Sequence, residues 1–372
     1  MHKNRPMPQT AIPCLFMRGG TSRGPFFKAA DLPADTAARD RVLLAVMGSP
    51  DARQIDGLGG AHPLTSKVGI VSPGSRPGVD LDFLFAQLQP DRDTVDTTPN
   101  CGNMLAAVVP FALETGMVAA HGETTTLRVL TLNTDMQCDI TVSTPGGRVE
   151  YEGSARIDGV PGSSAPITIN FLDTAGSVCA GLLPTGNVLD TIDGVAVTCI
   201  DNGMPLVMFK AADVGRTGYE SVAELNADTG LKARIERLRL ACGHAMGLGD
   251  VAKKNYPKMT LIAPPRHPQS GGSLCTRSFI PHVCHDAIGV LAAVTAATAC
   301  VLEGSVTQGV AVVPAGASKK VSVEHPTGEF SVELDTDPAN PQDVTQAALL
   351  RTARLLMRGE VMVPVSVWNG LK

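Results

Sequence analysis

The chain reads as an α+β protein of two pseudo-symmetric halves, each a strongly curved, mostly antiparallel sheet around a central apolar helix. Three observations predict this. The string FKAAD occurs twice, at Phe27–Asp31 and Phe209–Asp213, a step of 182 residues. Two cysteines, Cys101 and Cys284, each precede an apolar run and lie 183 residues apart. One order of elements, in which strands and a helix lead to an apolar helix and then hairpins, recurs around both landmarks. A near-constant offset with a repeated element order marks a duplicated design, and chemistry is then expected in the cleft between the copies.

Taken in order, Ile12–Met17 reads as a strand, "RGGTSRG" as a turn and Pro25–Lys28 as a second strand. A helix covers Thr36–Met47, and the loop "DGLGGAHPLTSK" feeds a strand at Val68–Ser72. Asp80–Gln89 alternates as a strand should. "TPNCGN" opens an apolar helix that kinks at Pro110 and ends at Gly116, and Thr125–Thr134 and Gln137–Tyr151 read as hairpins. In the second half, Val195–Ile200 and Leu206–Lys210 pair across "DNGM", Val222–Met246 is helical and Lys258–Ala263 is a strand. "SLCTRSFIPHVCH" then opens a helix to about Leu302. Strands are expected at Val310–Pro314, Lys320–Glu324 and Phe330–Leu334, a last helix at Pro341–Arg358 and a closing strand at Val361–Trp368. The two cysteine-led helices are apolar nearly all round, as enclosed helices are.

Composition bounds the function. The 372 residues are 44% apolar and 18% charged, with 38 Gly and 27 Pro, which suits strands joined by turns under closely packed helices. The length favours two domains, placed at 1–185 and 186–360, with the strand 361–372 completing the first. A net charge of −5 without a basic run leaves no footprint for nucleic acid. Nine scattered cysteines fit free thiols in a reducing, cytoplasmic setting. No run reads as a signal sequence or a bilayer span, so no membrane partner is expected, and a homodimer is an allowed assembly.

Chemistry concentrates at a few places. In "NCGN", Asn100–Asn103, a helix start offers unpaired amides and a positive end, which hold carboxylates and favour a thiolate at Cys101; a plain helix cap is the alternative. "MRGGTSRG" combines Arg18, Arg23, hydroxyls and glycine amides, either a carboxylate nest or an ordinary turn. Lys67 enters an apolar strand directly after Thr65 and Ser66, as a desolvated base or as a lysine reaching past a strand edge. "HVCH" has no second pair at zinc spacing, so no metal is expected there, and His285 is a ligand donor or a structural histidine. No nucleophile elbow, kinase or dinucleotide signature occurs, which disfavours redox and nucleotide chemistry. What remains suits proton transfer beside carboxylates.

The segments "IPCLFMRGGTSRG", "MGSPDARQIDGLGG", "LTSKVGIVS", "NCGNMLAAVVPFALETG", "NADTGLKARIERLRLACGHAMGLGDV" and "PHVCHDAIGVLAAVTAATAC" together resemble the PrpF family. The resemblance runs from about residue 10 to the C-terminus. It implies a diaminopimelate-epimerase-like fold and a cofactor-independent isomerase that moves a proton and a double bond in an unsaturated tricarboxylate. Within the family the chain looks most like the 4-oxalomesaconate tautomerases and isomerases of bacterial gallate and protocatechuate breakdown, acting by allylic isomerisation or keto-enol tautomerisation. Methylaconitate and methylitaconate isomerases are sister enzymes. The resemblance suggests Lys67 as the main acid/base and Cys101 as a second proton-transfer or positioning group. It assigns carboxylate binding to Arg18, Thr21, Ser22, Ser66, Asn100, Gly102, Asn103, Arg277 and His285. Cys284 matches the position of the epimerases' partner thiol, so a two-thiol amino-acid epimerase is the alternative.

Overall fold

The structure, a computed structural model, describes residues 9–172 and 174–370. The chain divides into two compact units, Met1–Leu172 with Arg351–Lys372, and Asp173–Leu350. The first unit contains β1 (Gln9–Gly19), β2 (Ser22–Lys28), α1 (Thr36–Met47), β3 (Lys67–Pro73), β4 (Leu81–Leu88), the short β5 (Val95–Asp96), α2 (Gly102–Leu105), α3 (Val108–Glu114), β6 (Thr124–Thr131), β7 (Met136–Ser143) and β8 (Ile167–Phe171). The second contains β9 (Asp190–Ile192), β10 (Val195–Asp201), β11 (Pro205–Lys210), α4 (Val222–Ala227), α5 (Thr229–Ala245), β12 (Lys258–Ala263), β13 (Gly272–Phe279), α6 (Val290–Val301), β14 (Ser318–His325), β15 (Gly328–Asp337) and β16 (Asn340–Arg351). β17 (Ala353–Pro364) returns to the first unit and pairs with β1.

The sheet of the first unit runs β17-β1-β2-β3-β4-β6-β7-β8, with β2–β3 and β4–β6 parallel and the other neighbours antiparallel. That of the second runs β9-β10-β11-β12-β13-β14-β15-β16, with β11–β12 and β13–β14 parallel and the rest antiparallel. Position by position, the two series of strand directions are the same.

Each sheet curls about an apolar helix. α2 and α3 touch β1, β2, β3 and β7, strands far apart in the sheet order, and Phe111 of α3 packs on Phe26, which in turn stacks with Phe83. α6 likewise touches β10, β11, β14 and β15, and its residues Ala292–Ala299 are buried. The outer faces carry the amphipathic helices. Val42, Leu43, Val46 and Met47 of α1 share a core with Phe27, Val68 and Ile70, while Leu231, Ile235 and Leu238 of α5 share one with Phe209, Met259 and Leu261. Both FKAAD copies are strand-to-3-10 corners: Phe27 and Phe209 are fully buried, and Lys28 and Lys210 turn the chain with φ −72°, ψ 134° and φ −67°, ψ 133°.

Several sequence expectations are corrected. The first apolar helix breaks at Ala106–Ala107 and not at Pro110. Restarting there puts Pro110 in the first turn of α3, where its missing amide costs nothing. Val222–Met246 is two helices, because Asp228 leaves helical geometry to accept the Leu231 amide as the cap of α5. The second apolar helix begins at Val290 and not near Cys284, because Gly272–Phe279 is taken up as β13 between β12 and β14. Val310–Pro314 is not a strand, and the expected last helix at Pro341–Arg358 is β16 and much of β17. The Ala, Leu, Gln and Arg residues there favour helix, but β1 and β15 offer complete ladders of partners, and tertiary pairing overrides local propensity. The closing strand accordingly ends at Pro364, ahead of Trp368.

Candidate active site

Three glycines draw the parts of the first unit's site together. The β1–β2 hairpin turns on two residues, Gly20 and Thr21, between the paired Gly19 and Ser22, and Gly20 takes the positive φ of 52° that such a turn demands. A Cβ on Gly19 would stand 2.3 Å from the Asn103 carbonyl oxygen, and one on Gly20 2.1 Å from Asn103 Oδ1. One on Gly24 would stand 1.8 Å from the carbonyl oxygen of Lys67 and 3.5 Å from Met104 Cε. Only glycine allows the hairpin to lie this close to both the start of α2 and the head of β3. Asn103 Nδ2 completes the junction by donating to Thr21 Oγ1 at 3.0 Å. Ser22 Oγ and Asn103 Oδ1 are buried at the same junction and have no hydrogen-bond partner among the described residues.

Lys67 opens β3 and is 7% exposed. It pairs with Gln87 across the antiparallel ladder, and so shares the inner face with Gly69 and Phe85 while Val68 and Ile70 face the outer core. Its ammonium donates to Gln87 Oε1 and lies 4.9 Å from the centroid of the Phe85 ring. Gln87 is itself oriented, since Nε2 donates to the carbonyls of Pro63, Ser66 and Leu88. No carboxylate among the described residues lies within ion-pair distance of Lys67, so a neutral amide is its polar contact. The loop that delivers the lysine is braced by Gln54, 1% exposed, whose Oε1 accepts from Ala61 N and from Ser66 Oγ. Ser66 Oγ also donates to His62 O at 2.8 Å, so this hydroxyl is engaged with the loop.

Cys101 is the N-cap residue of α2, yet its side chain makes no capping bond. Asn100 Oδ1 accepts the Cys101 amide at 2.8 Å, and the Cys101 carbonyl accepts from Leu105 N, leaving the amides of Gly102, Asn103 and Met104 as the first-turn donors with no acceptor inside the helix. α2 is only four residues long, so direct donation by these amides outweighs any dipole field. Arg18 commits Nη1 to the Gly20 carbonyl and to both oxygens of Thr352, and Nη2 to Ser164 at 3.4 Å. Burial first, then Arg354 opposite it on β17, pushes the Arg18 guanidinium below its usual pKa.

The second unit holds the remaining predicted residues, with Arg277 close to Cys284 and His285 next to that cysteine in the chain. Arg277 pairs with Leu261 and so faces the outer core of α5; Nε donates to Glu220 O, and Nη1 to Thr276 O and Cys275 Sγ. Cys284 sits in the same outer core, 2% exposed, bridged to Phe279, with its amide held by Asn226 Oδ1 at 2.8 Å. Burial, which the nearby Arg277 only partly offsets, pushes its thiol up to about 11. It stands outside α6 altogether. His285 accepts the Ala287 amide on Nδ1 at 2.8 Å, which puts the proton of the neutral ring on Nε2; burial and then the charge of Lys258 hold its pKa below the ordinary value.

Gln87, Gln54 and Phe85 escape sequence reasoning. Gln87 follows Lys67 by twenty positions, and only the β3–β4 register brings them face to face. Among the described residues no group of three or more His, Cys, Asp or Glu side chains is placed to hold a metal, and no helix is long and apolar enough to cross a membrane.

Comparison with known proteins places this geometry. The family described as PrpF protein matches residues 9–364. The (4E)-oxalomesaconate Delta-isomerase of Novosphingobium sp. (strain KA1) is 59% identical, over 95% of this chain and 98% of its own length. The 4-oxalomesaconate tautomerase of Pseudomonas putida is 53% identical over 98% and 99%. Among solved structures, that of methylitaconate-delta-isomerase superposes with a TM-score of 0.85 at 34% identity, covering 98% of each chain.

Proposed function

The chain belongs to the PrpF family, and from that premise we propose that it is an isomerase of 4-oxalomesaconate, moving a proton and a double bond in this unsaturated tricarboxylate. The observation that carries the reading is Lys67: a buried lysine with a neutral amide partner, on the sheet face turned to the first turn of α2. Removing a proton γ to a conjugated carbonyl forms a dienolate, whose oxyanion needs donors already in place. The amides of Gly102 and Asn103 serve that role, and Lys67 moves the proton, alone on one face of the substrate or together with Cys101. Gln87 Oε1 accepts a hydrogen bond from Lys67 Nζ and so points it. The names of the relatives support the substrate.

Methylitaconate isomerisation is the second reading, supported by the likeness to the methylitaconate-delta-isomerase structure. A two-thiol epimerase has less support, because Cys284 is a buried, protonated thiol away from any helix start. The test is ultraviolet absorbance of 4-oxalomesaconate with purified protein, run in parallel in deuterium oxide and followed by proton NMR. An absorbance change with deuterium entering the allylic carbon is expected. Unchanged absorbance, with methylitaconate rearranged instead, would move the assignment to the second reading.

A further inference from the structure

The second unit has a lysine in the place that Lys67 holds in the first. Phe27 of β2 pairs with Ile70 of β3, and Lys67 lies three residues before Ile70. Phe209 of β11 pairs with Leu261 of β12, and Lys258 lies three residues before Leu261. Each lysine opens its strand. Each also faces the enclosed helix: Met259 and Leu261 belong to the outer core, and a Cβ on Gly289, the N-cap of α6, would stand 3.4 Å from Lys258 Nζ.

The company of the two lysines differs. Lys67 has Gln87 as its acceptor, whereas the β12–β13 ladder ends at the Met259–Phe279 pair, one residue short of Lys258, whose partner on β11 is Leu206. The helix start beside it is capped by Gly289 where the first unit has Cys101. Burial alone depresses the Lys258 pKa; no hydrogen bond or opposite charge among the described residues offsets it. His285 is near enough to feel that charge and has Nε2–H to spare, while Asp286, the carboxylate that acts on His285, is exposed.

We propose that Lys258 and His285, both of the second unit, bind a carboxylate group of a small polycarboxylate. A half-buried ammonium without a counter-charge is costly, and a bound carboxylate supplies the charge-assisted hydrogen bonds it lacks. Without a thiol at the helix start or an amide acceptor opposite, this copy keeps the cation and loses the proton-transfer partners. The ligand class rests on the isomerase reading; the site itself does not.

The experiment is calorimetric titration of the full chain with tricarballylate. Lys258→Met is expected to weaken binding by about 10-fold or more, the loss of a charge-assisted hydrogen bond, and Lys258→Arg to recover most of it. Gly289→Asp supplies a favoured N-cap, so its melting temperature is expected to hold or rise, yet it puts a carboxylate beside Lys258 and should weaken tricarballylate as much. Binding within about twofold of wild type in Lys258→Met, or no heat from wild type at millimolar tricarballylate, would overturn the proposal. Titration needs no turnover, so Lys258-dependent binding by a chain that leaves 4-oxalomesaconate untouched would refute the isomerase reading alone.

Discussion

The two units run the same series of strand directions, turn the same FKAAD corner and open the same strand with a lysine. They differ in what meets that lysine. Lys67 has Gln87 across the ladder, Gly24 beside it and Cys101 at the head of the helix. Lys258 has Leu206 and Gly289 in the corresponding places, and the β12–β13 ladder stops one residue short of it. The fold delivers a cation to the mouth of an enclosed helix in either copy. On the roles proposed for the two lysines, it is these neighbours that separate a proton-transfer centre from a binding one.

That comparison breaks most severely at the lysines. Lys67→Met is expected to lower kcat by about 10³-fold with little change in KM; stopped-assay kinetics check it, and a kcat within about threefold of wild type would dissolve the assignment of Lys67 as the proton-transfer group. Next in size is Gly24→Ala. Its Cβ would fall 1.8 Å from the Lys67 carbonyl oxygen, so the head of β3 must shift; we expect a lower melting temperature and about 100-fold slower turnover, because ångström-scale misplacement of a catalytic group is that costly. Leu206→Ala, at the matching position of the second unit, should leave kcat within about threefold.

Gln87→Leu removes the acceptor and keeps the volume. It should cost about 10-fold in kcat, the worth of one hydrogen bond to a charged group. A kcat within about twofold of wild type would sink the orienting role. The smallest effect is expected at Cys284. Its raised pKa means that the neutral thiol is the form present at pH 8, so iodoacetamide labelling should stay slow there and quicken only as the pH nears about 11. Cys284→Ala should keep kcat/KM within about threefold, and a larger loss would revive the two-thiol alternative.

Much of this was legible in the chain before folding was considered. The FKAAD repeat located two equivalent corners because a buried Phe, a turning Lys and two small residues specify a corner locally. Lys67 stood out because a charge at the head of an apolar strand is unusual in itself, and the Asn–Cys–Gly–Asn run marked a helix start through its capping chemistry. By contrast, Cys284 shared an offset with Cys101 without sharing its environment. Residues just ahead of it were drawn into β13, and the second helix had to begin later.

By itself, then, the sequence determined the duplication, the corners, the enclosed helices and the catalytic lysine of the proposed reaction, since each is written within a dozen neighbouring residues. Only the tertiary structure decided that residues near the C-terminus form a strand beside β1, that Gln87 meets Lys67, and that Lys258 is the counterpart of Lys67. Those facts depend on which strands pair and in what register, and a shift of one residue would send every side chain to the opposite face.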